Sequence, residues 1–477
     1  MTAADRGRRD AAWLRVAVCL VFLLFFRAAW AFRPTLANDD GCYLKILDDL
    51  VDIGLPAACR LGEAAYAPGA AWSWVPVSLL AKLVAGLTGG AALEWVIPSV
   101  ALFSFGSWAA TLVLLSCWLR QTDFDRLAGV PSAHVPGWAL ILLGGTPILY
   151  YATHRTLLSH PTELLCSVAA LVAFSSGRFF LGAAAAVLAC ATRYNDAPIL
   201  LLVVGRAVDE GRVGRDWKDP RRWLLGGGAL AILGWSLWLA FLHGHQGLTL
   251  PALLKEARSQ PAVEFLVGSH FGLLWTGPIW VFALALGARY LRRLSWFARA
   301  AWVWVLSEGI LAASWGGAGS DFGYRYLLGS FVGAWVIWLE LLAQGLASPP
   351  LFRRLSGGAA ILVTWLLLFF KTVPGTGAVV GATLAPTPGL IWILLALPFR
   401  DPGVFKTMVV QQFPAVTFWI SLMGSGGEEG AWKRYQIQGP GLFLLTAALA
   451  VTLSVLVVSC IRIAKPKARP FSDGFAC

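Results

Sequence analysis

Charge is scarce in this chain. Only 13% of its 477 residues are Asp, Glu, Lys or Arg, against a share of about 25% in ordinary soluble domains. No charged or Ser/Pro-rich stretch is long enough to form a separate soluble domain. Because 58% of the residues are hydrophobic, a soluble globular protein is nearly excluded and an integral membrane protein is predicted.

The sequence also lacks the spacings of common metal and nucleic-acid sites. Its eight cysteines form no CxxC pair, and its six histidines form no HxxxH or HExxH motif. The net charge of +12 comes from scattered basic residues, with no aromatic-interleaved basic patch, so no nucleic-acid partner is predicted. Cys42 and Cys59 share one loop, which leaves open either a disulfide or two thiols.

The apolar runs predict an all-α, polytopic transmembrane bundle of about 12 spans, since one span needs about 20 apolar residues. The first run has no small-residue cleavage site and is interrupted by Arg27, which indicates an uncleaved anchor. With both termini cytoplasmic, more than half of the 38 basic residues fall on the inner side. The predicted spans are 14–32, 93–119, 136–152, 162–176, 179–194, 197–208, 223–242, 272–290, 300–314, 326–345, 357–372 and 440–462.

Two apolar runs do not fit simple spans. The run 71–87 contains Lys82, and we predict that it is a juxtamembrane helix in the first outer loop, 33–92. The run 389–423 is broken at 398–402 by two prolines, which predicts an outer re-entrant or interfacial segment. The chain therefore divides into a transmembrane catalytic module, 1–345, and a C-terminal transmembrane region, 346–477, that ends in a basic cytoplasmic tail.

The beginning of the first outer loop concentrates acidic residues. Residues 33–70 hold six of the 26 acids, and the stretch NDDGCYLKILDDLVDIGL has the pattern of a helix start. Asp39 and Asp40 lie where the chain leaves the membrane, a suitable place for a general base or a metal ligand. The structural alternative is that they cap this helix and favour its dipole.

The second outer loop, YYATHRTLLSHPTELL, offers three further polar candidates. Arg155 can pair with a phosphate, and the spacing of His160 and Glu163 can place both on one helix face. The alternative is structural, because a glutamate also favours a helix N-terminus.

Charge at membrane depth marks two further segments. ATRYNDAP places Arg193 and Asp196 in a short turn between apolar runs, either as a functional group or as an internal ion pair. WGGAGSDFGYRYLL brings four glycines before Arg325, beside Tyr324, where backbone can approach a ligand closely and guanidinium can bind phosphate. An ordinary interhelical turn is the alternative for this second segment.

The order of these segments resembles the GT-C glycosyltransferase superfamily, and within it bacterial protein-mannosyltransferase-like and lipid-A aminoarabinose-transferase-like enzymes. NDDGCYL matches the acidic pair, glycine and aromatic of their first outer loop, while LLSHPTELL, ATRYNDAPILLL, SHFGLLWTGPIWVFALALG and SWGGAGSDFGYRYLL resemble later segments. The resemblance covers roughly residues 14–345. Asp40 stands where many members have Glu, and His160 and Glu163 stand where others have an Asp.

The resemblance implies an enzyme of the bacterial inner membrane, with its active site on the outer face. It would move a sugar from a polyprenyl-phosphate-linked donor to a glycan, lipid or protein acceptor. Asp39 would be the base and Asp40 its partner, with Arg155, Arg193 and Arg325 as candidates for the donor phosphate. His160, Glu163 and Tyr324 would serve the acceptor or a second acidic motif, and a divalent metal at Asp40, His160 and Glu163 is left open. The rival functions are a transporter or flippase of lipid-linked sugars and a non-enzymatic scaffold.

Overall fold

A computed structural model describes residues 15–21, 38–52, 60–61, 64–65, 67–153, 155–211, 262–267, 272–314 and 327–369. This part of the chain is mostly helical, in agreement with the predicted all-α class. Residues 15–21 are helical within the predicted first span. The remaining helices are α1 Asn38–Asp52, α2 Gly69–Thr88, α3 Ala92–Gln121, α4 Phe124–Ala128, α5 Val135–Gly144, α6 Ile148–Thr153, α7 His160–Ser175, α8 Phe179–Thr192, α9 Leu200–Asp209, α10 Ala262–Val267, α11 Leu273–Thr276, α12 Pro278–Arg289, α13 Trp296–Ser314, α14 Ser330–Ala343 and α15 Pro349–Phe369.

Short 3-10 helices and one small strand pair complete the described secondary structure. The 3-10 helices are Ser132–His134, Tyr194–Ile199 and Leu291–Arg293. Strand β1, Arg60–Leu61, pairs antiparallel with β2, Ala64–Ala65. Two residues in each strand do not alter the helical class of the protein.

Helices α1 and α2 lie side by side and run in the same direction. Near their starts, the rings of Tyr43 and Trp74 meet edge to face with centroids 5.8 Å apart. Further along, Lys82 Nζ lies 3.2 Å from Asp48 Oδ1 and 2.9 Å from Asp52 Oδ1. The lysine that interrupts the apolar run 71–87 is therefore paired with the acidic face of α1.

Helix α3 is long enough to extend well past its neighbour α7. At one level, Ser104 Oγ donates to the Thr156 carbonyl oxygen at 2.5 Å, just before α7 begins. At the other, Gln121 Nε2 donates to Ser176 Oγ at 3.0 Å, where α7 ends. Seventeen residues of helix between these contacts measure about 26 Å. Residues 92–103 of α3 consequently extend beyond the start of α7, and α3 also packs against α2.

Two predicted spans are interrupted. Hydropathy predicts one helix over 136–152, but α5 ends at Gly144 and α6 begins at Ile148. Between them Thr146 Oγ1 donates to the Leu143 carbonyl oxygen at 2.7 Å, and Pro147 has no N–H with which to continue the helix. The run 272–290 is likewise divided, into α11 and α12, at Gly277.

The later helices pack into the same bundle. Asp209, at the end of α9, accepts hydrogen bonds from the N–H groups of Trp296 and Phe297 at 3.0 and 2.8 Å, so it caps the start of α13. Helix α14 packs on α13 and α12. On α15, Arg353 Nη1 donates to the Ala128 carbonyl oxygen at 2.6 Å. Helix α15 thus joins the core of the preceding helices, while the domain boundary at 345–346 stays a prediction.

Two helical segments in the described residues, Gly69–Thr88 and Trp95–Gln121, are long and apolar enough to cross a membrane. Further apolar helices of 10 to 17 residues are Ser132–Gly144, His160–Ser175, Phe179–Thr192, Pro278–Arg289 and Ser330–Ala343. Membrane association is therefore supported by length and composition, whereas the number of 12 spans stays a prediction. The predicted spans 223–242 and 440–462, and the run 389–423, lie outside the described residues.

Candidate functional site

The first turn of α7 carries two of the predicted site residues. His160 begins the helix, and Pro161 follows it at a position where the missing N–H leaves no hydrogen bond unmade. One turn later, Glu163 Oε2 lies 3.1 Å from His160 Nδ1. Both side chains are buried. The predicted spacing of three residues does place them on one helix face.

Arg193 reaches this pair from the C-terminal end of α8. Its Nη1 lies 3.4 Å from Glu163 Oε2 and 3.1 Å from His160 Nε2, and it also contacts His160 Nδ1. Because a guanidinium group only donates, a ring nitrogen of His160 accepts from Arg193, and the Glu163 carboxyl group lies within hydrogen-bond distance of Nδ1. Arg193 is only 8% exposed, so this is a buried arrangement of cation, imidazole and carboxyl group.

Asp196 lies behind Arg193, in the 3-10 turn that follows α8. Its backbone N–H donates to the Arg193 carbonyl oxygen at 3.0 Å, which folds the turn back on itself. Its side chain is fully buried and faces the carboxyl groups of Glu163 and Glu308. Apart from these two carboxyl groups, no side chain or backbone N–H among the described residues donates to either carboxyl oxygen of Asp196.

Glu308 is the site residue that sequence reasoning missed. It lies on α13, where Oε1 accepts the Trp304 indole N–H at 2.5 Å and Oε2 accepts the Ser330 backbone N–H at 3.2 Å. A signal was present, because Glu308 is the only charged residue of the predicted span 300–314. An ionisable residue inside an apolar span is a functional candidate by default.

A glycine at the start of α14 lets the carboxyl groups approach. A Cβ atom on Gly329 would lie 2.7 Å from both Glu163 Oε1 and Asp196 Oδ1. Because both oxygens lie 2.7 Å from the same point, the distance between Glu163 Oε1 and Asp196 Oδ1 is at most twice 2.7 Å. Two carboxylates so close cannot both be ionised without a strong cost, unless a cation or a proton lies between them. We call Glu163, Asp196 and Glu308 the acid cluster.

The helix of the acidic pair begins close to this site. Asp39 and Asp40 lie in the first turn of α1, one turn before Tyr43, whose hydroxyl donates to Ser159 Oγ at 3.1 Å. At the start of α2, a Cβ on Gly69 would lie 2.5 Å from the Ala191 carbonyl carbon, two residues before Arg193. The first turn also suits the dipole alternative for the two aspartates.

Of the remaining predicted site residues, the structure describes Arg155 but not Tyr324 or Arg325. Arg155 is buried in the turn between α6 and α7, five residues before His160. Tyr324 and Arg325 lie outside the described residues, as does Cys59. Cys42 on α1 is disulfide-bonded, so of the two alternatives for this cysteine the free thiol is wrong.

The described residues do not supply a metal centre. No group of three or more His, Cys, Asp or Glu side chains among them is arranged to hold a metal ion. The suggested ligand pair His160 and Glu163 is instead occupied by Arg193.

No protein family, no curated protein and no solved structure matches the chain.

Proposed function

We propose that the protein is an integral-membrane glycosyltransferase that uses a polyprenyl-phosphate-linked sugar on the outer face of a bacterial inner membrane. The observation that supports it most is the Tyr43–Ser159 hydrogen bond. It joins the helix of Asp39 and Asp40 to the residue next to His160, and hence to the buried Arg193. Carboxylates for an acceptor and a guanidinium group for a phosphate thus occur at one end of the bundle.

The position of this site supports a reaction at a membrane surface. The stretch of α3 beside α7 measures about 26 Å, close to the hydrocarbon thickness of about 30 Å. Ser104 and the start of α7 mark one end of that stretch. The disulfide at Cys42 favours an oxidising compartment for this end, since disulfides persist on the outer side of the inner membrane.

The residues fit the chemistry of sugar transfer. Breaking the bond between the anomeric carbon and the phosphate oxygen develops negative charge on the lipid phosphate. Arg193 would stabilise that charge through paired N–H donors, with Arg155 and Arg325 as further candidates. Asp39 would take the proton of the acceptor hydroxyl, assisted by Asp40. His160 and Glu163 would hold the arginine in place.

Transfer from a radiolabelled polyprenyl-phosphate sugar to candidate acceptors tests the proposal. We expect Asp39→Asn to lower the rate by 10²-fold or more, on the order of a lost general base, while Asp49→Asn on the same helix changes it little. Arg193→Ala should lower the rate on the order of 10²-fold, whereas the exposed Arg178→Ala should not. Undiminished transfer in Asp39→Asn contradicts the assignment of the base.

The acid cluster favours a second candidate, a proton-coupled transporter or flippase of lipid-linked sugars. Carboxyl groups buried between apolar helices are typical of proton relays in transporters. Reconstituted vesicles separate the two functions. Movement of a labelled lipid-linked sugar across the bilayer, without turnover of any donor, would favour the transporter.

A further inference from the structure

Three carboxyl groups from three different helical elements meet behind Arg193. Glu163 comes from α7, Asp196 from the turn after α8, and Glu308 from α13, and each is 0% exposed. A structural link between helices would be made more simply by apolar side chains, because buried charges are costly to desolvate. The arrangement of these acids relative to Arg193 therefore needs a physical explanation.

The acids are connected in series. Glu163 Oε2 contacts Arg193 and His160, while its other oxygen approaches Asp196 near Gly329. Asp196 in turn faces Glu308, which is held by Trp304 and by the Ser330 backbone. Apart from these carboxyl groups, Asp196 has no N–H or O–H donor among the described residues, so protons held within the acid cluster are the simplest balance for the repulsion between them.

We propose that Asp196 and Glu308 are positioning residues for Arg193, and that binding of a phosphodiester anion at Arg193 draws a proton into the acid cluster. The inference rests on the proposed function, in which Arg193 binds the donor phosphate. In the free protein Arg193 balances the charge of Glu163. When an anion binds, it pairs with the positive charge of Arg193. A proton taken up from water then neutralises the acid cluster in place of the arginine.

The groups around the acid cluster allow this exchange. On α7 the titratable neighbours are His160 and Cys166, and on α8 Cys190, with Arg193 at the end of that helix. Of these, Arg193 is the cation that interacts with Glu163 and Asp196. Helix α14 contributes the Ser330 N–H and the close approach at Gly329. Charge lost from Arg193 is therefore compensated most directly by a proton.

The coupling has a defined sign. Because binding takes up a proton, the affinity for the anion rises as the pH falls, by up to about tenfold per pH unit for one proton. The rise is confined to the pH range in which the acid cluster exchanges that proton. A merely structural role for Asp196 and Glu308 would change stability without creating this pH dependence.

Titration calorimetry with geranyl methyl phosphate tests the coupling. This probe is a phosphodiester, so it has no second ionisation near neutral pH, and it carries no sugar that could be transferred. Measurements at one pH in two buffers with different ionisation enthalpies give the number of protons taken up. For the full chain in detergent we expect net uptake of up to about one proton, and the same value for Arg178→Ala.

Conservative variants identify the groups involved. Asp196→Asn replaces shared protons with permanent N–H donors, so we expect proton uptake to be abolished while the fold is kept. Glu308→Gln should reduce the uptake, and it serves as a second variant if Asp196→Asn fails to fold. Binding without proton uptake in the wild type, or with the same uptake in both variants, overturns the inference and leaves the proposed phosphate site intact.

An infrared measurement separates the two possible failures. Protonated carboxyl groups give a carbonyl band that is resolved from the amide bands. We expect this band at neutral pH in the wild type and its reduction in Asp196→Asn. If the band is absent, the carboxyl groups do not share protons, and this result does not depend on any ligand. Absence of binding, with the band present, instead counts against Arg193 as the phosphate site and therefore against the proposed function.

Discussion

Substitution of Gly329 by alanine is the sharpest test of the acid cluster. The added methyl group would lie 2.7 Å from two carboxyl oxygens, on Glu163 and Asp196, where ordinary contacts begin near 3.4 Å. The backbone at Gly329 has φ −60° and ψ −45°, so alanine itself is conformationally favourable there. The effect of the substitution therefore isolates the crowding of the two carboxyl groups.

The expected magnitude follows from two opposing contributions. Overpacking a buried site costs about 1–3 kcal/mol, and replacing glycine with alanine in a helix returns up to about 1 kcal/mol. We expect a net loss of about 1–2 kcal/mol, because Gly329 precedes α14 and gains little from helix propensity. Separation of Glu163 from Asp196 should also disturb Arg193 and lower any transfer activity.

The assay is thermal unfolding in detergent, followed by tryptophan fluorescence. The matched control is Gly358→Ala on α15, where an added Cβ meets no atom within 4 Å and the stability should stay equal or rise. In the double variant Gly329→Ala/Asp196→Ala the loss should be smaller than the sum of the single losses, since the shorter side chain at 196 makes room. A Gly329→Ala protein as stable as the Gly358→Ala protein would refute the close approach of the carboxyl groups.

Three further substitutions test other parts of the structure. Gly69→Ala should loosen α2 and increase its proteolysis, because the new Cβ would lie 2.5 Å from the Ala191 backbone; Gly86→Ala, in open space, should not. Asp209→Ala removes the cap of α13 and should lower the free energy of unfolding by about 1 kcal/mol, which chemical denaturation measures. The Ser132 hydroxyl donates to Asp125 and lowers the pKa of that carboxyl group. Ser132→Ala should therefore lower the melting temperature by its full amount at neutral pH, and the difference from the wild type should disappear as the pH falls below the ordinary pKa of 3.8. A difference that persists in acid would contradict this linkage.

The helices were largely predictable because the apolar runs are long and their ends carry clear signals. Helices α7 and α8 begin and end within a few residues of the predicted spans 162–176 and 179–194. The break inside 136–152 could also have been found, since the stretch GGTP at 144–147 combines two glycines with a proline. Hydropathy alone does not reveal this break, because a short turn barely lowers the average hydropathy of the run.

The site was predictable only in part, because a sequence does not tell which helices face each other. Arg193, His160 and Glu163 were each identified from polar residues at span ends, and the structure brings them into contact. Glu308 completes the cluster from a helix more than a hundred residues further along. The position of Gly329 matters for the same reason, since its close contacts come from elements far away in sequence. The roles of Asp39 and Asp40 stay predictions.

The acid cluster argues for a function beyond the joining of helices. A helix junction can be formed with apolar residues of similar volume, and such replacements of buried ionic groups are often neutral or stabilising. Here three elements each contribute a carboxyl group, and Gly329 leaves the space that brings two of them together. Among the described residues Arg193 is the cation that contacts Glu163, so we expect the protonation of the acid cluster to respond to whatever binds the arginine. A transferase with an anionic donor and a proton-coupled transporter would both use that response, and the presence or absence of sugar transfer distinguishes them.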